Sequence, residues 1–173
     1  MSGEDTKDIG DISVADKGNI HVYADKTQTK YWVVHEDNEK IFFPEESSYL
    51  FSSGEEKYYT NLTTLTFKAI DTGNVAKMRG MFFNCENLES LDLKTFNTIN
   101  VTDMGGMFAG CSALTDLDLS SFYTGKVTNM EGMFNRCEKL TDLDVSRFNT
   151  GNVRSEDTRR TPVTHQSRMP SSA

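Results

Sequence analysis

Apolar and polar positions follow a pattern in the second half of the chain that returns every 26 residues. Each unit contains the sequence pattern L-x-x-L-x-L-x-x-F, as at residues 114–122, followed by a second apolar set. The cysteines show the step clearly, because they occupy one position of three successive units at Cys85, Cys111 and Cys137. A constant period over several units is typical of a repeat protein whose units stack on one another.

We define each repeat by its first leucine, and the four repeats are residues 62–87, 88–113, 114–139 and 140–153. In each repeat the central L-x-L alternates between inward and outward side chains and predicts a short strand. Successive strands are expected to form one parallel sheet with strands about 4.8 Å apart.

The second apolar set has a spacing of three and four residues, which is typical of one face of a helix. In repeat 3 this set consists of Val127, Met130, Met133, Phe134 and Cys137. Gly80, Gly106 and Gly132 recur within it, which predicts close approach of neighbouring repeats at that position. The pattern therefore predicts an α/β solenoid. In detail, we expect a right-handed coil with a parallel strand ladder and short helices on the other side.

The patterning divides the chain into four segments. Residues 1–18 show no sustained alternation and are expected to be loose or disordered. Residues 19–47 contain β-rich runs separated by turns and predict an antiparallel β meander, whose third strand is at 41–43. Such a meander would cap the N-terminal end of the solenoid, where core and a strand edge would otherwise be exposed. Residues 48–153 contain the leucine-rich repeats.

The last segment, residues 154–173, departs from the repeat at once. Its apolar spacing is lost, and its basic residues are all Arg, whereas Lys dominates the preceding sequence. We expect a non-repeat tail that is disordered or foreign to the fold. The last repeat would then be uncapped, and the protein would be a monomer or associate end to end through that repeat.

Charge and motifs exclude several classes of function. The net charge of −8 argues against a nucleic-acid partner, because phosphate binding needs a basic face. No apolar run is long enough for a membrane span, and the chain starts without a signal-peptide pattern or an anchor. The three cysteines lack zinc-site spacing and are expected to be buried, inert thiols. No catalytic motif or cofactor-binding motif is found, so the sequence predicts neither an enzyme nor a cofactor.

The outward positions of the predicted strands carry the candidate site. Thr66, Asp92, Asp118 and Asp144 form one row, and Thr64, Ser90, Asp116 and Asp142 form the next, with Glu89 nearby. Like charges on neighbouring strands repel, so solvent, nearby Lys94 and Arg147, a hard cation or a basic partner should relieve them. We expect a partner-binding acidic face formed by Glu89, Asp92, Asp116, Asp118, Asp142 and Asp144. Asp92, Asp118 and Asp144 are a weaker candidate for Ca²⁺, which needs six to eight oxygen ligands.

The repeat resembles a known family. Residues 117–122, 127–134 and 137–140 closely resemble the repeat of BspA-like leucine-rich-repeat surface proteins, which include the mycoplasma-lipoprotein-associated repeats. The resemblance covers about residues 47–153. It implies a leucine-rich-repeat fold and a bacterial or parasite protein at the cell surface or secreted. It also implies adhesion to a protein or a host extracellular-matrix ligand. Two alternatives stay open: a structural spacer in a larger surface protein, and a carbohydrate-active enzyme that uses the stacked aspartates.

Overall fold

The computed structural model describes the backbone of residues 6–11, 20–25, 30–35, 40–53 and 61–154, and the side chains of the last two ranges. The described strands are β1 (Thr6–Asp11), β2 (Ile20–Asp25), β3 (Lys30–His35), β4 (Ile41–Phe42), β5 (Thr64–Phe67), β6 (Ile70–Asp71) and β7 (Ser90–Leu91). No helix is present in these described ranges.

The N-terminal strands continue into the first repeats through one five-stranded sheet of order β1-β2-β3-β5-β7. Strands β1, β2 and β3 are antiparallel neighbours, whereas β3 pairs with β5, and β5 with β7, in parallel. β3 therefore covers the edge of β5 that would otherwise be unpaired, which is what a cap must do.

Two parts of this cap differ from the sequence expectation. Strand β1 lies within residues 1–18, which were expected to be loose, because main-chain pairing with β2 requires no alternation of side chains. Strand β4 falls where the third strand of the meander was expected. It leaves the meander, however, and pairs in parallel with β6 in a separate two-stranded sheet.

Successive repeats are joined by a second ladder, which we call the turn side and define as residues 77–85, 103–111 and 129–137. Parallel bridges link Lys77 to Asp103 and Asp103 to Asn129. In residues 78–84 and 104–110, every second N–H donates to a main-chain carbonyl of the next repeat, as from Met78 to the carbonyl of Asp103 at 2.9 Å. Residues 47–53 donate to residues 77–83 in the same way.

Several other N–H groups of the turn side close tight turns within each repeat, in place of the predicted short helices. The N–H of Met133 donates to the carbonyl of Met130 at 3.2 Å, and that of Cys137 to the carbonyl of Phe134 at 3.2 Å. These bonds span three residues, so apolar side chains recur at the spacing that a helix would also give. A helix cannot form because Gly132 and Arg136 have positive φ angles of 61° and 60°.

The recurring glycine has a positive φ angle in all three repeats, at Gly80, Gly106 and Gly132. Gly106 and Gly132 have φ angles near 60°, and the atom nearest to an added Cβ would be 3.8 Å and 3.7 Å away, respectively. Space is therefore ample, and the left-handed conformation explains the residue type. Of these three glycines, only Gly80 also shows the predicted close approach, because an added Cβ would collide with the ring of Tyr49.

The L-x-L segments form the opposite side, which we call the strand side and define as residues 64–67, 90–93, 116–119 and 142–145. Strands β5 and β7 pair there, with Thr64 opposite Ser90 and Leu65 opposite Leu91. In the described residues, the corresponding segments of repeats 3 and 4 do not form paired strands.

Buried threonines hold the repeats together at the corner between the two sides. The Thr98 hydroxyl donates to the carbonyl of Tyr123 at 3.0 Å and accepts the N–H of Tyr123 at 2.8 Å. Thr72 and Thr124 bind the following repeat in the same way. Each hydroxyl therefore satisfies one donor and one acceptor of the next repeat inside the protein, where unpaired groups would be costly.

The interior contains the apolar positions that the sequence places inward. Leu91, Leu117, Met104 and Met130 are all buried, which confirms their predicted orientation. Phenylalanine rings also stack from repeat to repeat, with centroid distances of 5.7, 5.6 and 5.7 Å and interplanar angles of 11°, 6° and 5°. The stacked rings are Phe51, Phe82, Phe108 and Phe134.

Repeat 4 is less buried than the repeats before it. Leu143 and Val145 are partly buried, whereas their equivalents Leu117 and Leu119 are buried. The N–H of Arg154 donates to the carbonyl of Thr128 at 3.2 Å, in the register of the earlier repeats. The predicted disordered or foreign tail, residues 154–173, lies outside the described residues from position 155 onward.

Candidate binding surface

The six predicted carboxylates are all exposed on the strand side or beside it. Their inward neighbours Leu91 and Leu117 are buried, so the alternation of the segment places the carboxylates on the solvent side. The residues are Glu89, Asp92, Asp116, Asp118, Asp142 and Asp144, and we call this set the acidic face.

One row of the acidic face also shapes the backbone. The carboxylates of Asp92, Asp118 and Asp144 accept the main-chain N–H two residues later, at 3.1, 3.0 and 2.9 Å. This side-chain turn ends the extended segment and turns the chain toward the next buried phenylalanine. These three aspartates therefore have a structural role that the sequence analysis did not assign to them.

Hydrogen bonds and basic neighbours keep two of these carboxylates ionised. The side chain and main-chain N–H of Ser120 lower the pKa of Asp118, and the positive charge of Lys94 acts in the same direction. Ser146 lowers the pKa of Asp144 in the same way, again with the help of a basic neighbour, Arg147. Asp118 and Asp144 consequently stay negatively charged at neutral pH.

The other row has no such partners. Within the described ranges, the carboxylates of Asp116 and Asp142 accept no main-chain N–H at the two-residue spacing and form no ion pair within 4.0 Å. The described ion pairs lie elsewhere, between Lys40 and Asp71 at 2.7 Å and between Lys77 and Glu46 at 3.0 Å. Asp116 and Asp142 therefore differ from Asp118 and Asp144, whose carboxylates accept the N–H groups of local turns.

The geometry gives no support to a metal site. Within residues 40–53 and 61–154, no three His, Cys, Asp or Glu side chains come close enough together to hold a metal ion. Asp92, Asp118 and Asp144 each lie on a different repeat and use one oxygen for a local turn. A Ca²⁺ ion would need several more ligands at short range.

The cysteines are buried and free, as the sequence predicts. The thiols of Cys85, Cys111 and Cys137 donate to main-chain carbonyls of Phe51, Phe82 and Phe108, at 3.1, 3.2 and 3.1 Å. Burial raises the pKa of Cys85 to about 12 and that of Cys137 to about 11, and it also raises the pKa of Cys111. These thiols are structural and unreactive, since the thiolate is the nucleophile and the metal ligand.

Two exposed apolar residues were missed by the sequence analysis. Ile99 and Tyr123 are 48% and 52% exposed, on neighbouring repeats at the corner that contains the buried threonines. The equivalent of Ile99 is glycine in the other three repeats, and Tyr123 replaces the Asp or Asn whose side chain caps this turn elsewhere. Departure from the repeat at these two positions was the signal that could have identified them.

Comparison with known proteins gives one match. Residues 48–166 match the family model described as Mycoplasma protein of unknown function, DUF285. No match was found among the curated proteins or among the solved structures. Separately, the described part of the chain contains no helix that is long and apolar enough to cross a membrane.

Proposed function

The chain belongs to this family, whose description names no activity, and we propose that it is a protein-binding or adhesion module that binds through its acidic face. The observation that carries the proposal is the return of exposed carboxylates on three successive repeats. A periodic negative surface suits an extended basic partner, because electrostatic complementarity steers association and fixes its register.

The proposed fold is a short right-handed leucine-rich-repeat solenoid with an N-terminal β cap. Support comes from the parallel bridges at residues 77, 103 and 129, and from the rings that stack in register. The resemblance of the repeat to BspA-like surface proteins further supports a location at the cell surface or outside the cell, and a host matrix protein as the partner.

A binding measurement with a defined probe tests the function. We expect a fluorescent peptide of about 20 lysines to bind at low salt, and a peptide of glutamates not to bind. The triple variant Asp92→Asn, Asp118→Asn and Asp144→Asn should bind the lysine peptide about tenfold more weakly, because three charges are lost. Asparagine keeps the acceptor of each turn, as Asn97 and Asn149 do elsewhere in the chain.

The matched control removes three exposed carboxylates outside the acidic face, by Glu45→Gln, Glu86→Gln and Glu138→Gln. This variant should bind the lysine peptide within about twofold of the wild type, since long-range attraction is screened by salt. Equal losses in both triple variants would show that only net charge attracts the peptide. That result, or no binding of the lysine peptide, would contradict the proposal.

A structural spacer is the second candidate function. The turns formed by Asp92, Asp118 and Asp144 favour it, because they give these carboxylates a purely internal role. Under this alternative, the asparagine variant keeps its stability and no matrix or serum protein depends on the acidic face for binding. The sugar-acting enzyme has the least support, because all six carboxylates lie in similar exposed surroundings, and acid–base work needs unequal ones.

A further inference from the structure

Main-chain pairing on the strand side ends where the carboxylates begin. Strands β5 and β7 pair at Thr64 and Ser90. In the described part of the chain, no main-chain hydrogen bond joins residues 116–119 to residues 90–93 or to residues 142–145. Residues 116–119 and 142–145 thus lack the main-chain pairing of β5 and β7, although their apolar side chains are buried or partly buried.

A slip in register does not explain this loss. On one flank of the open segment, the N–H of Ala113 donates to the carbonyl of Glu86 at 3.1 Å. On the other flank, the Ser121 hydroxyl donates to the carbonyl of Leu93 at 3.5 Å. Repeats 2 and 3 are therefore aligned before and after the segment, and they lack main-chain hydrogen bonds between these two points.

The outward residues differ between the paired and the open segments. Thr64 faces Ser90 across the paired strands. One and two repeats later, the same position is Asp116 and then Asp142. Pairing would put these two carboxylates directly opposite each other, which is unfavourable in a sheet. Lys94 and Arg147 act on the other row, beside Asp118 and Asp144.

We propose that the strand side of repeats 3 and 4 is a charge-controlled ladder. The carboxylates of Asp116 and Asp142 keep residues 116–119 and 142–145 apart. Neutralisation of this pair lets residues 142–145 close onto residues 116–119 and form a further pair of parallel strands. The proposal concerns the isolated protein and is independent of any partner.

Hydrogen exchange of the main-chain amides tests the ladder. We expect the double variant Asp116→Asn and Asp142→Asn to raise the protection factors of amides in residues 116–119 and 142–145 about fivefold at low salt. The control Glu86→Gln and Glu138→Gln removes two exposed charges from the same repeats, outside the strand side, and should leave this protection unchanged. Unchanged protection factors in the asparagine variant, or an equal rise of these protection factors in the control, would overturn the proposal.

The reverse change should open strands that are now paired. Ser90→Asp places a carboxylate opposite Thr64 and beside Asp116, and we expect a severalfold loss of amide protection in β5 and β7. Ser90→Asn has nearly the same volume without the charge and is the matched control. Equal loss of protection in the two Ser90 variants would show that size, not charge, decides the pairing, and would overturn the proposal.

Salt provides a measurement on the unmodified chain. At an ionic strength of 1 M the Debye length is about 3 Å, so the carboxylates would be largely screened from each other. Protection of residues 116–119 and 142–145 should then rise toward that of the asparagine variant, whereas protection on the turn side should stay constant. No salt dependence in these two segments would contradict a charge-controlled ladder.

Discussion

The two sides of each repeat are joined to the next repeat in different ways. On the turn side, the cross-repeat hydrogen bonds from residues 47–53, 78–84 and 104–110 are 2.8–3.0 Å long and recur throughout. On the strand side, among the residues that the structure describes, main-chain pairing between repeats is present only for β5 and β7. Both sides bury apolar side chains, so burial alone does not determine which side pairs.

The difference lies in what each side places outward. The turn side carries glycine or a turn residue where the chain reverses, and its thiols donate to the neighbouring repeat. The strand side of repeats 3 and 4 carries two rows of aspartate. The comparison teaches that an inward pattern specifies stacking, whereas the outward residues decide whether the stacked main chains also pair.

Loss of a stacked ring should have the largest effect and would test whether the turn side carries the fold. Phe108 is fully buried between Phe82 and Phe134. We expect Phe108→Ala to lower the free energy of unfolding by about 3–5 kcal/mol, measured by chemical denaturation. Phe42→Ala is the control, because Phe42 is 63% exposed. A loss below about 1 kcal/mol for Phe108→Ala would show that the turn side does not carry the fold.

The thiols should make the turn side sensitive to alkaline pH. A cysteine in the unfolded chain ionises near pH 8.5, whereas burial raises the pKa of Cys85 and Cys137 to about 12 and about 11. Above pH 8.5 the unfolded chain thus binds fewer protons than the folded one, and the free energy of unfolding falls as pH rises. We expect a loss of about 1 kcal/mol per thiol between pH 7.5 and 9.5.

Denaturation at several pH values measures this slope. The variant Cys85→Ala, Cys111→Ala and Cys137→Ala is the comparison, because it keeps every other titrating group. Its stability should be lower overall but should fall less steeply with pH. Equal slopes in both proteins would mean that the thiols are accessible in the folded state.

The conformational role of Gly106 gives a smaller expected effect. Gly106→Ala should cost about 1–2 kcal/mol, because φ is 60° and an added Cβ meets nothing closer than 3.8 Å. Gly106→Asn should cost less, since asparagine tolerates this conformation. Thermal unfolding of both variants shows which of them is more stable. An asparagine variant less stable than the alanine variant would contradict the prediction.

A single change on the acidic face should have the smallest effect and would sharpen the contrast between the sides. Asp118→Asn keeps an acceptor for the N–H of Ser120, whereas Asp118→Ala removes it. We expect thermal unfolding of the asparagine variant to match the wild type, and the alanine variant to unfold at a slightly lower temperature. A large decrease for either variant would show that the strand side contributes more than its sparse pairing indicates.

Much of the stacking was predictable because it depends on inward residues that recur. The 26-residue period places Leu91 with Leu117 and Met104 with Met130, and all four are buried. The thiols were also placed correctly, since a recurring cysteine among apolar residues is usually a small buried side chain.

The turn side and the strand ladder were harder to predict for two physical reasons. Apolar residues three apart fit a helix and a series of tight turns equally well. The positive φ angles at the recurring glycine and at the residue four positions later, as at Gly132 and Arg136, distinguish the turns from a helix, and a sequence does not display φ. The early end of the ladder, in turn, depends on outward carboxylates, whereas the strand prediction was made from inward leucines.

The direction of the hydrogen bonds on the turn side has a consequence for synthesis. The N–H groups of residues 78–84 and 104–110 find their acceptors 25 residues further along the chain. A ribosome releases the capped end first, so each emerging turn waits for a segment still inside the exit tunnel. The repeats would therefore assemble in order from the N-terminus. A stalled translation product would end in a repeat whose turn-side N–H groups have no acceptors yet.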